Sequence, residues 1–234
     1  MNSQLDTLTD FYLPKRDNEP NLFQIWEDGG ARGDSITPST YSAAYRGWMR
    51  DKLVAALEAH GAKNLLSLGS GNAAIESGLA RDGYRVLAVD ALAEAVELAE
   101  SKGLEALQAD IADWTPEGSW PVVYMDGVLG HLYDPRTRSI QPVLRRIRSW
   151  FADDSGNGQG TGGGTLIASN DCTTDGSPAQ PAPGVTGFHW LTGAYMREQA
   201  LAAGFGEVEA ETFTYDRPLS GRRVRSVITA RLVA

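Results

Sequence analysis

The sequence predicts an α/β fold: a doubly wound sheet of seven strands, the last of them antiparallel, beneath a helical N-terminal cover. Apolar runs suited to buried strands recur at 65–68, 86–89, 104–109, 121–125 and 165–169, in alternation with helical patterns. The first run feeds the turn Gly69-Ser70-Gly71 and the second ends on Asp90, so residues 64–90 read as strand, glycine turn, helix and carboxylate-tipped strand. Two β-rich runs, 208–214 and 224–233, finish the chain without a helical pattern between them, which makes them an antiparallel pair rather than a crossover.

Taken in order, residues 1–40 hold Phe11, Tyr12, Phe23 and Trp26 between Pro14, Pro20 and Gly29-Gly30. They are too apolar for a disordered tail and too broken for a sheet element. They read as short helices forming a cover or lid over a second unit, 41–234. Thr37-Pro38 has the form of an N-cap followed by proline at the first helical position, and Met49, Leu53, Ala56 and Leu57 carry one amphipathic helix to His60. Leu92, Ala95, Val96 and Ala99 form a helix closed by Gly103. The strand at 104–109 ends on Asp110-Ile111, and the strand at 121–125 ends on Asp126 and opens into Gly127 through His131. Ile140, Leu144, Ile147 and Phe151 then mark a helical stripe, with Arg136, Arg138, Arg145, Arg146 and Arg148 as its solvated face. Residues 152–164 are glycine-rich and read as a flexible surface loop; they lack the Gly-Lys-Ser/Thr ending and following helix of a phosphate loop. A Pro/Gly-rich connection at 170–188 is long enough to suggest function, and a helix over 190–203 ends at Gly204.

With 234 residues, 42% of them hydrophobic, the chain suits one domain with a sizeable core. A net charge of −9 disfavours nucleic acid and anionic lipid as partners. Cys172 is the single cysteine, so neither an internal disulfide nor a cysteine-built zinc site is expected. The absence of a span-length apolar run or a signal-peptide pattern leads to the expectation of a cytoplasmic protein without membrane partners. A homodimer is an assembly this composition allows.

Glycines at the first turn let a ligand touch bare backbone, and the helix that follows points free N–H groups at it. A carboxylate ending the second strand accepts two hydrogen bonds from a ribose diol, each worth about 1.5–3 kcal/mol. With these features in this order, residues 40–234 resemble the class I S-adenosylmethionine-dependent methyltransferases, a Rossmann-like family. The resemblance implies S-adenosyl-L-methionine as cofactor. It gives Gly69, Ser70 and Gly71 to the glycine-rich motif, Asp90 and Ala91 to the ribose side, and Asp110 and Ile111 to the adenine. Asp126 and Gly127 then border the methionine moiety and the substrate. Ala203-Gly204-Phe205 is similar to the "AGF" that often precedes this family's final hairpin. One departure stands out: the family usually has an acidic residue two places before the first glycine, where this chain has Ser67. The competing reading is an NAD(P)-dependent oxidoreductase, since Gly69 to Ala74 also fits G-x-G-x-x-A. The long segment before the first strand, the terminal hairpin, and Gln199 rather than lysine four residues after Tyr195 count against it. A non-catalytic, cofactor-binding assembly protein is the third.

Methyl transfer from a sulfonium leaves a neutral thioether, so catalysis is mostly positioning, worth about 7–11 kcal/mol. Removal of one acceptor proton adds about 10²–10⁴-fold when a side chain assists. His131, after the fourth strand, and His189, beyond the long connection, are the candidate catalytic groups; His60, at a helix end, reads as a surface or capping residue. Tyr12, Trp26, Tyr45, Tyr133 and Trp190 are the candidate substrate contacts. Magnesium-dependent catechol methyltransferases place ligands near Asp126 and Asn170-Asp171, but the order at 170–171 is reversed and no metal is expected. The function expected is methyl transfer to a nitrogen or oxygen of a small molecule, a secondary metabolite.

Overall fold

A computed structural model describes residues 4–14, 19–33, 35–151, 163–217 and 219–233. The chain begins with α1 (Gln4–Tyr12), α2 (Leu22–Glu27), α3 (Pro38–Tyr41) and α4 (Ala43–Ala59). A strand-and-helix alternation follows: β1 (Asn64–Leu68), α5 (Glu76–Arg81), β2 (Arg85–Asp90), α6 (Ala93–Ser101), β3 (Glu105–Gln108), β4 (Val122–Asp126), α7 (Gln141–Phe151) and β5 (Thr165–Asp171). A small hairpin of β6 (Ala179–Pro181) and β7 (His189–Leu191) precedes α8 (Gly193–Ala202), and β8 (Glu207–Arg217) and β9 (Gly221–Arg231) close the fold.

The seven-stranded sheet has the order β3-β2-β1-β4-β5-β9-β8. β9 runs antiparallel to both β5 and β8, with Ile167 opposite Thr229 and Glu209 opposite Thr229 on its other edge. β1 lies between β2 and β4, Leu66 beside Leu87 on one side and Val123 on the other. The strand order therefore reverses beside β1, and a doubly wound sheet opens a ligand crevice at the carboxyl ends of the strands there. Helices cover both faces, which is why every residue of β5 and the first four of β4 are buried.

Local chemistry sets the elements. Ile140, Leu144, Ile147 and Phe151 recur at helical spacing and are buried, and Ser139 Oγ caps α7 by accepting the Gln141 N–H at 3.0 Å. Two of the arginines expected on its solvated face do more than solvate: Arg146 donates to Trp114 O at 2.9 Å and Arg148 to Gly204 O at 2.8 Å. The helix expected from Thr37 to His60 breaks at Ser42, whose backbone is extended (ψ 104°) and whose hydroxyl accepts the Tyr45 N–H to start α4 afresh. The helix expected from Trp190 starts later, because residues 189–191 pair with β6 and Thr192 provides the N-cap. Of the expected glycine-rich loop, residues 152–162 lie outside the described residues. Among the described residues no helix is long and apolar enough to cross a membrane.

Leu144 is wholly enclosed between α7 and the sheet. Leu144→Ala is expected to cost about 2–5 kcal/mol, read as a lower urea midpoint at an unchanged denaturant slope.

Candidate functional site

The carboxyl ends of β1, β2, β4 and β5 converge on a cavity of about 670 Å³, which α1 and α2 roof. Gly69 to Gly71 form its floor beside β1. Gly69 has φ +66°, and a Cβ there would lie 2.3 Å from Val128 Cγ2, so both backbone and space require glycine. At the end of β2, Asp90 Oδ2 accepts the Gly71 N–H at 3.0 Å and Oδ1 accepts the Leu92 N–H at 3.1 Å. Burial raises the Asp90 pKa, and these backbone N–H groups oppose the rise. Asp110 Oδ1 accepts the Ala112 N–H at 2.8 Å, with Ile111 buried beside it. Asp90, Ala91, Asp110 and Ile111 all face the cavity, as do Asp126 and Gly127 at its far side.

Asp126 and Asp171 end β4 and β5, and the wholly buried Arg225 of β9 spans them. Its Nη2 meets Asp126 Oδ1, its Nη1 lies 3.2 Å from Asp171 Oδ1, and its Nε donates to Ser169 Oγ at 3.1 Å. Arg217 also pairs with Asp171, and Tyr215 donates its hydroxyl proton there. Burial pushes the Asp126 carboxyl up, but Arg225 and Ser169 outweigh it and hold the pKa below the usual value. The carboxylates considered for magnesium are therefore paired with guanidinium groups, Asp126 through its Oδ1. Removing one partner of such a buried pair costs about 3–5 kcal/mol.

The two candidate catalytic histidines part company. His131 faces the cavity; its Nε2 lies 3.1 Å from Tyr12 Oη, its ring packs on Phe188 with centroids 4.6 Å apart, and its carbonyl accepts Gln4 Nε2 at 2.8 Å. Burial pushes its imidazole down to about 4, so it is neutral at pH 7. His189 packs its ring on Tyr133, centroids 4.4 Å apart, outside the cavity lining, and its backbone N–H donates to Gly130 O at 3.0 Å. Of the candidate substrate aromatics, Tyr12, Trp26 and Trp190 line the cavity. Tyr133 stands behind the wall with His189, and Tyr45 reaches from α4 only far enough to set its hydroxyl 3.3 Å from Asp126 Oδ1. His60 caps α4, as expected, and its Nε2 lies 2.9 Å from Thr165 Oγ1.

Among the cavity residues that escaped the sequence reading are Arg225 and Glu76. Arg225 sits in a run of arginines, Arg222, Arg223 and Arg225, that looks like an exposed strand face. Glu76, in the first turn of α5, is 4% exposed and faces the cavity, where Ser67 Oγ donates to its Oε1 at 2.6 Å. The missing acid at position 67 was the available signal.

A family model described as a methyltransferase domain matches residues 66–149. A tabtoxin biosynthesis enzyme of Pseudomonas amygdali pv. tabaci is 36% identical over 232 residues, which cover 97% of this chain and 88% of that protein. The chain belongs to the class I S-adenosylmethionine-dependent methyltransferases. S-adenosylmethionine is accordingly its cofactor, and the nicotinamide reading falls away. Solved methyltransferases share the fold. Magnesium protoporphyrin IX methyltransferase from Synechocystis PCC 6803, with bound S-adenosylmethionine, has a TM-score of 0.62 at 16% identity, covering 98% of each chain. The 1,6-didemethyltoxoflavin-N1-methyltransferase of Burkholderia thailandensis has a TM-score of 0.55 at 16% identity, covering 87% of this chain and 94% of its own.

The methyltransferase's Glu76 yields a pH prediction. Burial pushes its carboxyl from 4.5 up to about 7, against hydrogen bonds from Ser67 and the backbone. Between those values the folded chain binds the proton and the unfolded chain does not, so stability falls as pH rises through that window. Above it the penalty is about 3 kcal/mol. Glu76→Gln is expected to raise the melting temperature of the ligand-free protein at pH 8 by on the order of 5–10 °C. Thermal scans at pH 5 should show a much smaller gain.

Proposed function

We propose that this methyltransferase acts on a nitrogen or oxygen of a small molecule of secondary metabolism. The observation that carries this is the roofed cavity, with acidic and glycine groups at one end and a mainly apolar wall at the other. Leu8, Phe188 and Trp190 belong to that wall, beside His131. A volume of about 670 Å³ falls within the range of small-molecule sites. The relative in tabtoxin biosynthesis supports the metabolic setting.

The residues present fit the cofactor. The Ser70 hydroxyl is buried without a partner among the described residues, Asp90 retains lone pairs for a diol, and the turn from Gly69 to Gly71 borders the cavity. Asp90 with Ala91 would hold the ribose, Asp110 with Ile111 the adenine, and Asp126 with Gly127 the methionine end. When bound, S-adenosylmethionine supplies an electrophilic methyl group on sulfur.

The chain's own residues do the rest. α1 and α2 exclude water: Tyr12 stacks on Phe23 at 5.2 Å, and Phe23 and Trp26 stand over Gly71. Lys102 Nζ ties Glu27, at the end of α2, to the body at 2.6 Å. His131 is neutral in the cavity wall, and in the tautomer with its proton on Nδ1 its Nε2 is suited to orient the acceptor's N–H or O–H and take its proton when Tyr12 yields the place. His189, packed against Tyr133, supports the wall.

S-adenosylhomocysteine is expected to raise the melting temperature in the concentration-dependent manner of mass action, with no such effect from NAD. Asp90→Ala should remove that shift. With an acceptor found by screening amines and hydroxylated metabolites, His131→Ala should lower kcat about 10²-fold at unchanged S-adenosylhomocysteine affinity. No turnover by an intact, ligand-binding protein would favour a non-catalytic role.

A further inference from the structure

Ser67 and Glu76 meet at one corner of the cavity. Position 67 lies on β1 between Ala88 and Tyr124, pointing at the first turn of α5, and holds a hydroxyl in place of the acid its family usually has there. Its hydroxyl proton goes to Glu76 Oε1, and the N–H groups of Ile75 and Glu76 also serve that carboxyl. Every one of these partners is a neutral donor. Among the described residues no cation pairs with Glu76, although it is nearly enclosed. Nearby, Tyr124 Oη and Asp126 Oδ2 are buried with no hydrogen-bond partner among the described residues. This corner of the cavity is therefore rich in acceptors and short of a positive donor. An isolated buried carboxylate is costly, and a cation docking against it offsets the cost.

The cofactor carries an ammonium group on the arm remote from its sugar. Resting on the family assignment, we propose that Glu76 is the carboxylate that receives this ammonium group, the acid having been moved from strand position 67 to the first turn of α5, where Ser67 orients it. The charged and titratable groups facing it are Asp126 and Tyr124 from β4, with Tyr45 of α4 and Arg225 of β9 behind them. Burial, with the charge of Asp126 adding to it, keeps part of the Glu76 population protonated near neutral pH. Docking of the ammonium group therefore releases a proton, and affinity rises with pH through the neutral range.

Calorimetric titration with S-adenosylhomocysteine, and with 5′-methylthioadenosine, which lacks the amino-acid arm, tests this. Glu76→Gln should bind S-adenosylhomocysteine at least tenfold more weakly and 5′-methylthioadenosine within twofold of the parent. Adding Ser67→Asp to that variant should recover most of the loss. Between pH 6 and pH 8 the parent's affinity for S-adenosylhomocysteine should increase severalfold, and that of Glu76→Gln should stay flat. Because Glu76→Gln is expected to be more stable without ligand, weaker binding will not reflect unfolding. Equal binding by parent and Glu76→Gln overturns the inference, as does equal loss of both ligands. A parent that binds neither compound overturns the family reading itself.

Discussion

Two backbone N–H groups close on one carboxylate, and the site follows from that contact. Gly71 and Leu92, from turns after different strands, both donate to Asp90, which joins the glycine turn to the end of β2. The contact requires a turn that reverses within Gly69 to Gly71, and Gly69 supplies it at a φ and a closeness to Val128 that a side chain would forbid. It also keeps Asp90 ionisable inside a buried wall, because hydrogen bonds to the charged form oppose desolvation. The sheet order then sets the rest: beside β1 the winding reverses, and the carboxyl ends of β1, β2 and β4 open onto the same space.

A second constraint sits on the far side of that space. β9 brings the wholly buried Arg225 between the ends of β4 and β5, where it neutralises Asp126 and Asp171. The reversed strand therefore does more than extend the sheet: it contributes the cation that lets two acids border the crevice. Among the described residues Glu76 has no such cation. The cavity thus holds acids paired with a cation of the chain, Asp126 and Asp171, and acids met by neutral donors, Asp90 and Glu76.

What was legible in the sequence was local. The strands show as apolar runs, the turn as Gly69-Ser70-Gly71 and the ribose-side acid as Asp90, because each is fixed by neighbours within a few positions. The break at Ser42 was hidden, since serine is tolerated in a helix and only the cap to Tyr45 marks the restart. β7 was hidden too: His189 to Leu191 extend because β6 pairs with them and Asn170 Nδ2 donates to the His189 carbonyl, both long-range facts. Periodicity cannot distinguish His131, turned into the cavity, from His189, turned onto Tyr133. Arg225 carried no sequence signal because its burial depends on partners 54 and 99 residues away in the chain, Asp171 and Asp126.

A crystal structure with S-adenosylhomocysteine bound tests the central claim most directly. Both ribose hydroxyls should lie within hydrogen-bond distance of the Asp90 carboxylate, above a Gly69–Gly71 turn in the conformation described. A sugar bound elsewhere, with Asp90 still occupied only by the N–H groups of Gly71 and Leu92, would contradict it.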